Sequence, residues 1–174
     1  MKWLVMAFVM ICGVVLQTFI PAYAILGQAK LPLLLALVLY YALRHDSNCM
    51  LLAAFFAGFL QDVLSPIPLG YSSFCFCIVG LIAGRFRNVV MIESALPPLV
   101  FGGAAGAATT VAFYLLLAKE QLIACPLWYL LLKIIGTGVL GALCTPLIFL
   151  VAGKFDRMMG NVTMKEETVV LDIE

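Results

Sequence analysis

The sequence predicts an all-α integral membrane protein with about six transmembrane helices, some of them short or re-entrant. Apolar residues make up 65% of its 174 residues and charged residues 11%, whereas soluble domains are about 45–50% apolar and about 25% charged. The apolar residues also fall into runs separated by short polar loops. A run of about 20 such residues is long enough to cross the hydrocarbon core of a bilayer.

Six apolar runs follow one another along the chain, at residues 3–20, 31–43, 50–64, 69–83, 96–118 and 127–152. The three middle runs are shorter than a full span requires. The third and fourth, which flank Ser65-Pro66-Ile67-Pro68, either cross twice or form a re-entrant pair whose backbone is buried in protein or lines a cavity. We predict one transmembrane domain over residues 1–152 and a mobile, polar, cytoplasmic tail over residues 153–174.

The basic residues orient the chain. With a cytoplasmic N-terminus and alternating runs, the inner side holds Lys2, Arg44, Arg85, Arg87, Lys154, Arg157 and Lys165, and the outer side holds Lys30 and Lys119. Because cytoplasmic loops are enriched in Lys and Arg, we predict that both termini are cytoplasmic. A cleaved signal peptide ending at Ala22-Tyr23-Ala24 is an alternative for the first run, although that run is longer than the usual apolar core of about 7–15 residues.

Four polar side chains fall at one estimated depth inside the predicted spans: Gln17, Gln61, Asp62 and Lys133. A charge at membrane depth costs roughly 2.5–3.5 kcal/mol on insertion scales, so such residues usually face a partner or a cavity. In one interpretation Asp62 and Lys133 form an ion pair, and the two amides supply the remaining hydrogen bonds. In the other, Lys133 extends outward to the membrane surface and Asp62 caps the turn at Ser65.

Small residues recur at four-residue spacing in the pairs Ala54 and Gly58, Gly80 and Gly84, Gly102 and Gly106, and Thr137 and Gly141. Helices in lipid associate through the close backbone approach that small residues permit. These stripes either pack the helices of the protein against one another or form a groove that faces a partner.

The composition argues against several function classes. The single histidine, His45, leaves no Ser-His-Asp or Cys-His arrangement, and the carboxylates do not cluster as metal ligands do. The net charge of +1 and the lack of a basic patch argue against nucleic acid as a partner. The six scattered cysteines are expected to behave as small apolar residues. We therefore expect neither an enzyme nor a cofactor.

An ordered set of short motifs occupies residues 31–87. They are a proline-led apolar run, Arg44, Gly58-Phe-Leu-Gln-Asp62, Pro68-Leu69-Gly70 and Gly80-Leu-Ile-Ala-Gly84-Arg85. This order resembles the bacterial rod shape-determining MreD family. The matching positions are Gly58, Asp62, Leu69, Gly70, Gly80, Gly84 and Arg85. With Gly102, Gly106 and Lys133, they form the set that we predict to be structural or partner-binding.

The resemblance implies a multi-pass, non-enzymatic subunit of the bacterial inner membrane that belongs to the cell-elongation machinery for peptidoglycan synthesis. Its expected partners are the lipid bilayer, an MreC-type periplasm-facing protein, an MreB-type actin-like filament, and the lateral-wall glycosyltransferase and transpeptidase. In this scaffold hypothesis, the glycine-lined helices and the turn at residues 65–70 form a groove for a partner's transmembrane helix.

The family is also similar in architecture to the substrate-binding membrane subunits of energy-coupling-factor vitamin transporters. That similarity leaves a second hypothesis open, a solute-binding transporter subunit whose pocket is lined by Gln17, Gln61, Asp62 and Lys133. A vitamin pocket needs several convergent polar groups, and the predicted outer loops are short and carry few of them. The sequence therefore favours the scaffold.

Overall fold

The computed structural model describes residues 2–19, 30–65, 69–86, 96–119 and 127–158, and these residues form six α-helices. The helices are α1 (Lys2–Phe19), α2 (Leu33–Arg44), α3 (Ser47–Leu64), α4 (Tyr71–Arg85), α5 (Leu96–Lys119) and α6 (Leu127–Met158). Each predicted apolar run is a helix, and α6 continues past residue 152 into the predicted tail. The alternative cleavage site at residues 22–24 lies outside the described ranges.

The ends of the helices follow from local sequence. Pro32, which lacks an N–H group, immediately precedes α2, at a position where a helix has no use for that donor. Arg44 ends α2, and a cation is favourable at the negative end of the helix dipole. Gly70, with a φ of 103°, turns the chain into α4 through a backbone conformation that other residues rarely adopt.

The helices differ in their capacity to cross a membrane. Ser47–Leu64, Pro98–Leu116 and Trp128–Phe155 are long and apolar enough to do so, whereas Met6–Phe19, Leu33–Arg44 and Tyr71–Arg85 are shorter apolar helices. At about 1.5 Å per residue, α2 is about 18 Å long, and the hydrocarbon core is about 30 Å thick. Six full crossings therefore stay a prediction.

The shortest helix is the centre of the bundle. Every residue of α2 from Leu33 to Leu43 is buried, and α2 packs against each of the other five helices. Its apolar side chains meet those of α1, α3, α4 and α6 in one continuous core. The surrounding helices thus shield α2 from lipid along its length.

Side-chain contacts give the directions of the helices. Pro32 lies beside Gly141, and the ring of Tyr40 lies 5.3 Å from that of Phe149, so α2 and α6 run parallel. By the same reasoning α3 and α4 form an antiparallel hairpin, in which Gly80 lies beside Met50. Successive helices therefore alternate in direction.

The alternation separates the described cations into two groups. Arg44, Arg85 and Lys154 are exposed at one end of the bundle, and Lys30 and Lys119 are exposed at the other. This is the distribution that the sequence predicted for the inner and outer sides.

Candidate functional site

Asp62 connects the two helices of the α3–α4 hairpin. It lies in the last turn of α3 and is only 2% exposed. Its Oδ2 accepts a hydrogen bond from the backbone N–H of Gly70 at 2.7 Å, and its Oδ1 accepts one from the N–H of Ser72 at 3.1 Å. Both donors belong to the beginning of α4, whose N-cap residue, Gly70, has no side chain to accept them. Because a carboxylate is favourable at a helix N-terminus, Asp62 supplies from α3 the cap that α4 lacks.

Two half-buried amides, those of Gln17 and Gln61, join α1, α2 and α3 beside this cap. Gln17 Nε2 donates to Gln61 Oε1 at 2.8 Å, and Gln61 Nε2 donates to Ser65 Oγ at 3.3 Å. The N–H of Leu34 donates to Gln17 Oε1 at 3.4 Å, which satisfies one of the free donors of the first turn of α2. The sequence predicted that Gln17 and Gln61 would complete the hydrogen bonds of an Asp62–Lys133 pair. In the structure the two amides instead bind each other.

The predicted ion pair between Asp62 and Lys133 does not form in the part of the chain that the structure describes, because both carboxylate oxygens of Asp62 face the start of α4. The capping interpretation is closer to the structure, although Asp62 caps α4 rather than the turn at Ser65.

Gly58 marks the closest approach of α3 and α4. A Cβ atom added to Gly58 would lie 2.7 Å from the carbonyl carbon of Ser72 and closer still to the backbone of Ser73. Ser73 Oγ also donates to the carbonyl oxygen of Phe55 at 3.3 Å. A side chain at position 58 would therefore force the two helix backbones apart.

The other family positions lie along α4. A Cβ on Gly80 would lie 2.9 Å from Met50 Sδ, whereas one on Gly84 would make only ordinary contacts, at 3.8 Å from Met50 Cε. Leu69 is 67% exposed in the turn before α4, and Arg85 is exposed at its other end. Asp62 and Gly70 thus meet at the start of α4, and Gly58 and Gly80 lie at separate contacts between α3 and α4.

Gly102 and Gly106 of α5 pack closely against α6. A Cβ on Gly102 would lie 2.5 Å from the carbonyl oxygen of Gly141, and one on Gly106 would lie 2.6 Å from that of Thr137. The Oγ atoms of Thr110 and Thr137 share a hydrogen bond of 2.7 Å across the same interface. The small residues of both helices therefore pack against each other, and the α5 stripe is not an open groove for a partner.

One polar group of the hairpin was not anticipated from the sequence. Ser72 is fully buried, and its Oγ is, within the described ranges, a buried side-chain polar atom without a hydrogen bond. The sequence signal for this part of the hairpin is Gly70, the N-cap residue of α4, which follows Asp62 by eight residues. A helix that begins at glycine needs a side chain from elsewhere as its cap, and when Asp62 supplies that cap it lies against the backbone of Ser72.

The titratable and metal-binding side chains of the described residues are scattered or packed against other side chains. No cluster of three or more His, Cys, Asp or Glu that could hold a metal ion occurs among them, and none of their cysteines forms a disulfide bond. His45 is 6% exposed and packs against the rings of Tyr40 and Tyr41. What the arrangement around Asp62 does is fix the relative positions of four helices.

Comparison with known proteins identifies the family. No curated protein and no solved structure matches the chain, so the expected similarity to the energy-coupling-factor subunits is not supported by a structural match. The family model for the rod shape-determining protein MreD matches residues 1–125, a range that includes the α3–α4 hairpin and the Asp62 cap. The chain therefore belongs to the MreD family and is a rod shape-determining membrane protein.

Proposed function

We propose that this protein is a non-enzymatic subunit of the cell-elongation machinery in the bacterial inner membrane, where it holds the transmembrane helices of partner proteins. Its membership of the MreD family supports the assignment. The partners that we propose are an MreC-type periplasm-facing protein, an MreB-type actin-like filament, and the lateral-wall glycosyltransferase and transpeptidase.

The observation that carries this proposal is that the small and polar residues lie inside the bundle, whereas large apolar side chains lie on its outer faces. The glycine stripes and the buried polar groups bind other parts of the same chain. The outer faces carry large apolar side chains, among them Phe8 on α1, Phe59 on α3 and Leu147 on α6, which are 56%, 46% and 62% exposed. A partner helix would therefore lie against an outer face, where van der Waals packing drives association in lipid.

The charge distribution supports an orientation for this scaffold. Arg44, Arg85 and Lys154 are exposed at the end of the bundle where α1 begins and α6 ends. Because basic residues are retained on the cytoplasmic side, we place both ends of the described chain in the cytoplasm. An actin-like filament would then approach the basic end, and a periplasm-facing protein would extend from the other.

The solute-binding hypothesis receives no support from the described residues. It requires Gln17, Gln61 and Asp62 to face a ligand, whereas the two amides bind each other and the carboxylate binds the start of α4. A ligand would have to displace these hydrogen bonds, and each buried donor or acceptor left without a partner costs about 1–3 kcal/mol.

Site-specific photo-crosslinking in native membranes tests the proposal. A photoreactive amino acid would replace Phe8, Phe59 or Leu147, one on each outer face, in a tagged copy of the full chain. Adducts would be identified by mass spectrometry. We expect one face to yield an adduct with the MreC-type protein. A probe in place of Leu39, which is 1% exposed, is the matched control and should yield no intermolecular adduct.

Two outcomes would contradict the proposal. If all three exposed probes captured only lipid, the protein would have no partner helix on these faces. If they captured a pair of ATPases together with a coupling membrane protein, the chain would be a transporter subunit.

A further inference from the structure

The two sides of the bundle differ in height. Ser47 and Lys154 lie at the same end of the bundle, as the alternation of the helices requires. From that end, α3 extends about 25 Å to Leu64, whereas α6 extends about 40 Å to Leu127 at 1.5 Å per residue. The α3–α4 side is therefore much shorter than the α6 side.

The exposed apolar surface of α3 and α4 is correspondingly short. On α3 it extends from Leu51 to Leu64, which are 39% and 45% exposed, a distance of about 20 Å. On α4 it extends from Phe74 to Ile82, which are 63% and 56% exposed, and Arg85 follows. This surface is about a third shorter than a hydrocarbon core of about 30 Å.

The exposed surface of α6 fits a bilayer of ordinary thickness. Lys133 lies about 31 Å from Lys154 along the helix, which matches the hydrocarbon core of about 30 Å. Trp128 lies beyond Lys133 and is 78% exposed, in the position that interfacial aromatic residues occupy. One bilayer of uniform thickness therefore cannot match both sides of the protein.

The turn between α3 and α4 makes this mismatch consequential. Leu69 and Gly70 are both exposed and lie outside any helix. Irregular backbone that faces lipid does not occur inside the hydrocarbon core, since its polar groups would lack partners there. The turn must therefore reach the membrane surface, although the exposed apolar surface of the two helices that carry it is shorter than a hydrocarbon core of about 30 Å.

We propose that the α3–α4 face thins the bilayer beside it, so that lipids with short acyl chains bind this face in preference to the face of α6. Bilayers accommodate a short hydrophobic stretch by thinning locally. Tilting would only reduce the distance that the α3–α4 hairpin spans along the membrane normal. The hairpin also cannot extend by unfolding at its turn without losing the hydrogen bonds of Asp62. The inference depends on membrane insertion and not on the identity of any protein partner.

Fluorescence quenching by brominated lipids measures lipid preference at each face. In the full chain, Trp3 and Trp128 would be replaced by Phe, and one tryptophan would be introduced as Phe74→Trp on α4 or as Leu143→Trp on α6. The reporters would be compared in phosphatidylcholine bilayers with monounsaturated chains of 14 to 22 carbons. We expect the strongest binding at the α4 reporter for 14- or 16-carbon chains and at the α6 reporter for 18 carbons or more, with several-fold differences in relative affinity.

Further variants keep the test decisive. Ile82→Trp replaces Phe74→Trp if that variant does not fold. In a cysteine-free chain, Leu69→Cys should react with a membrane-impermeant maleimide faster in 14-carbon than in 22-carbon bilayers, whereas Lys119→Cys, at the end of the long α5, should react equally in both. The same chain-length optimum at both tryptophans would overturn the proposal. An α4 reporter that no lipid quenches would also overturn it, because a protein surface would then cover this face.

Discussion

Removal of the Asp62 carboxylate should separate its role as a helix cap from a role in an ion pair. In Asp62→Ala, α4 loses its cap and the buried N–H of Ser72 loses its acceptor, a change that costs about 1–3 kcal/mol. We therefore expect the free energy of unfolding to fall by about 2 kcal/mol. In Asp62→Asn one acceptor oxygen remains, and the loss should be about 1 kcal/mol, mainly from the helix dipole.

The measurement is reversible unfolding by SDS in mixed micelles. Asp46→Ala is the matched control, since Asp46 is an exposed N-cap residue of α3 without a side-chain capping bond, and its effect should be within about 0.5 kcal/mol. A double-mutant cycle of Asp62→Asn with Lys133→Gln should show no coupling beyond about 0.5 kcal/mol. Coupling well above that value would show that the two charges interact, and the assignment of Asp62 as a cap alone would be refuted.

Three further changes test other parts of the packing by the same unfolding measurement. Gly106→Ala should destabilise the protein by about 1–3 kcal/mol through overpacking, because the added Cβ would lie 2.6 Å from a carbonyl oxygen of α6. Gly103→Ala is the control and should be nearly neutral, because its Cβ would lie 3.3 Å from the nearest atom. Equal effects of the two substitutions would argue against the packing of α5 on α6. Gly70→Ala should lower the free energy of unfolding by about 1–2 kcal/mol, because the φ of Gly70 is 103°. An unchanged stability would contradict that backbone conformation. Gln17→Leu should destabilise the protein by about 1–3 kcal/mol, because the side-chain oxygen of Gln61 loses its hydrogen-bond donor. Adding Gln61→Leu should restore part of that stability. If the second substitution instead caused a further, strictly additive loss, the two amides would not interact.

The helices could be predicted from sequence because their signal is local. Each apolar run is bounded by prolines, glycines or charges, and a chain in lipid must satisfy its backbone hydrogen bonds within helices. The distribution of Arg44, Arg85 and Lys154 to one end followed from the same runs. The similar depth of Gln17 and Gln61 was also predictable, because both lie late in helices that run in the same direction, although the hydrogen bond between them was not predicted.

The environment of Asp62 could not be predicted because it depends on where the helices lie relative to one another. Counting residues from the ends of the apolar runs placed Asp62 and Lys133 at one depth, since it assumed that each run crosses the whole bilayer. In the structure the carboxylate of Asp62 instead accepts hydrogen bonds from the backbone at the start of α4. The sequence also left two interpretations of Gly102 and Gly106, and only the contact with Thr137 and Gly141 distinguishes internal packing from a partner groove.

The burial of α2 has a consequence for how the protein is made. A helix of 12 residues is a poor candidate for stable insertion by itself, yet α2 leaves the ribosome before several of the helices that cover it. Its neighbour α6 ends at Met158, more than a hundred residues later, which corresponds to a delay on the order of ten seconds at ordinary rates of synthesis. During that interval α2 lacks α6, one of the five helices that pack against it. Its assembly should therefore be the step of biogenesis most sensitive to slow translation and most dependent on insertion factors.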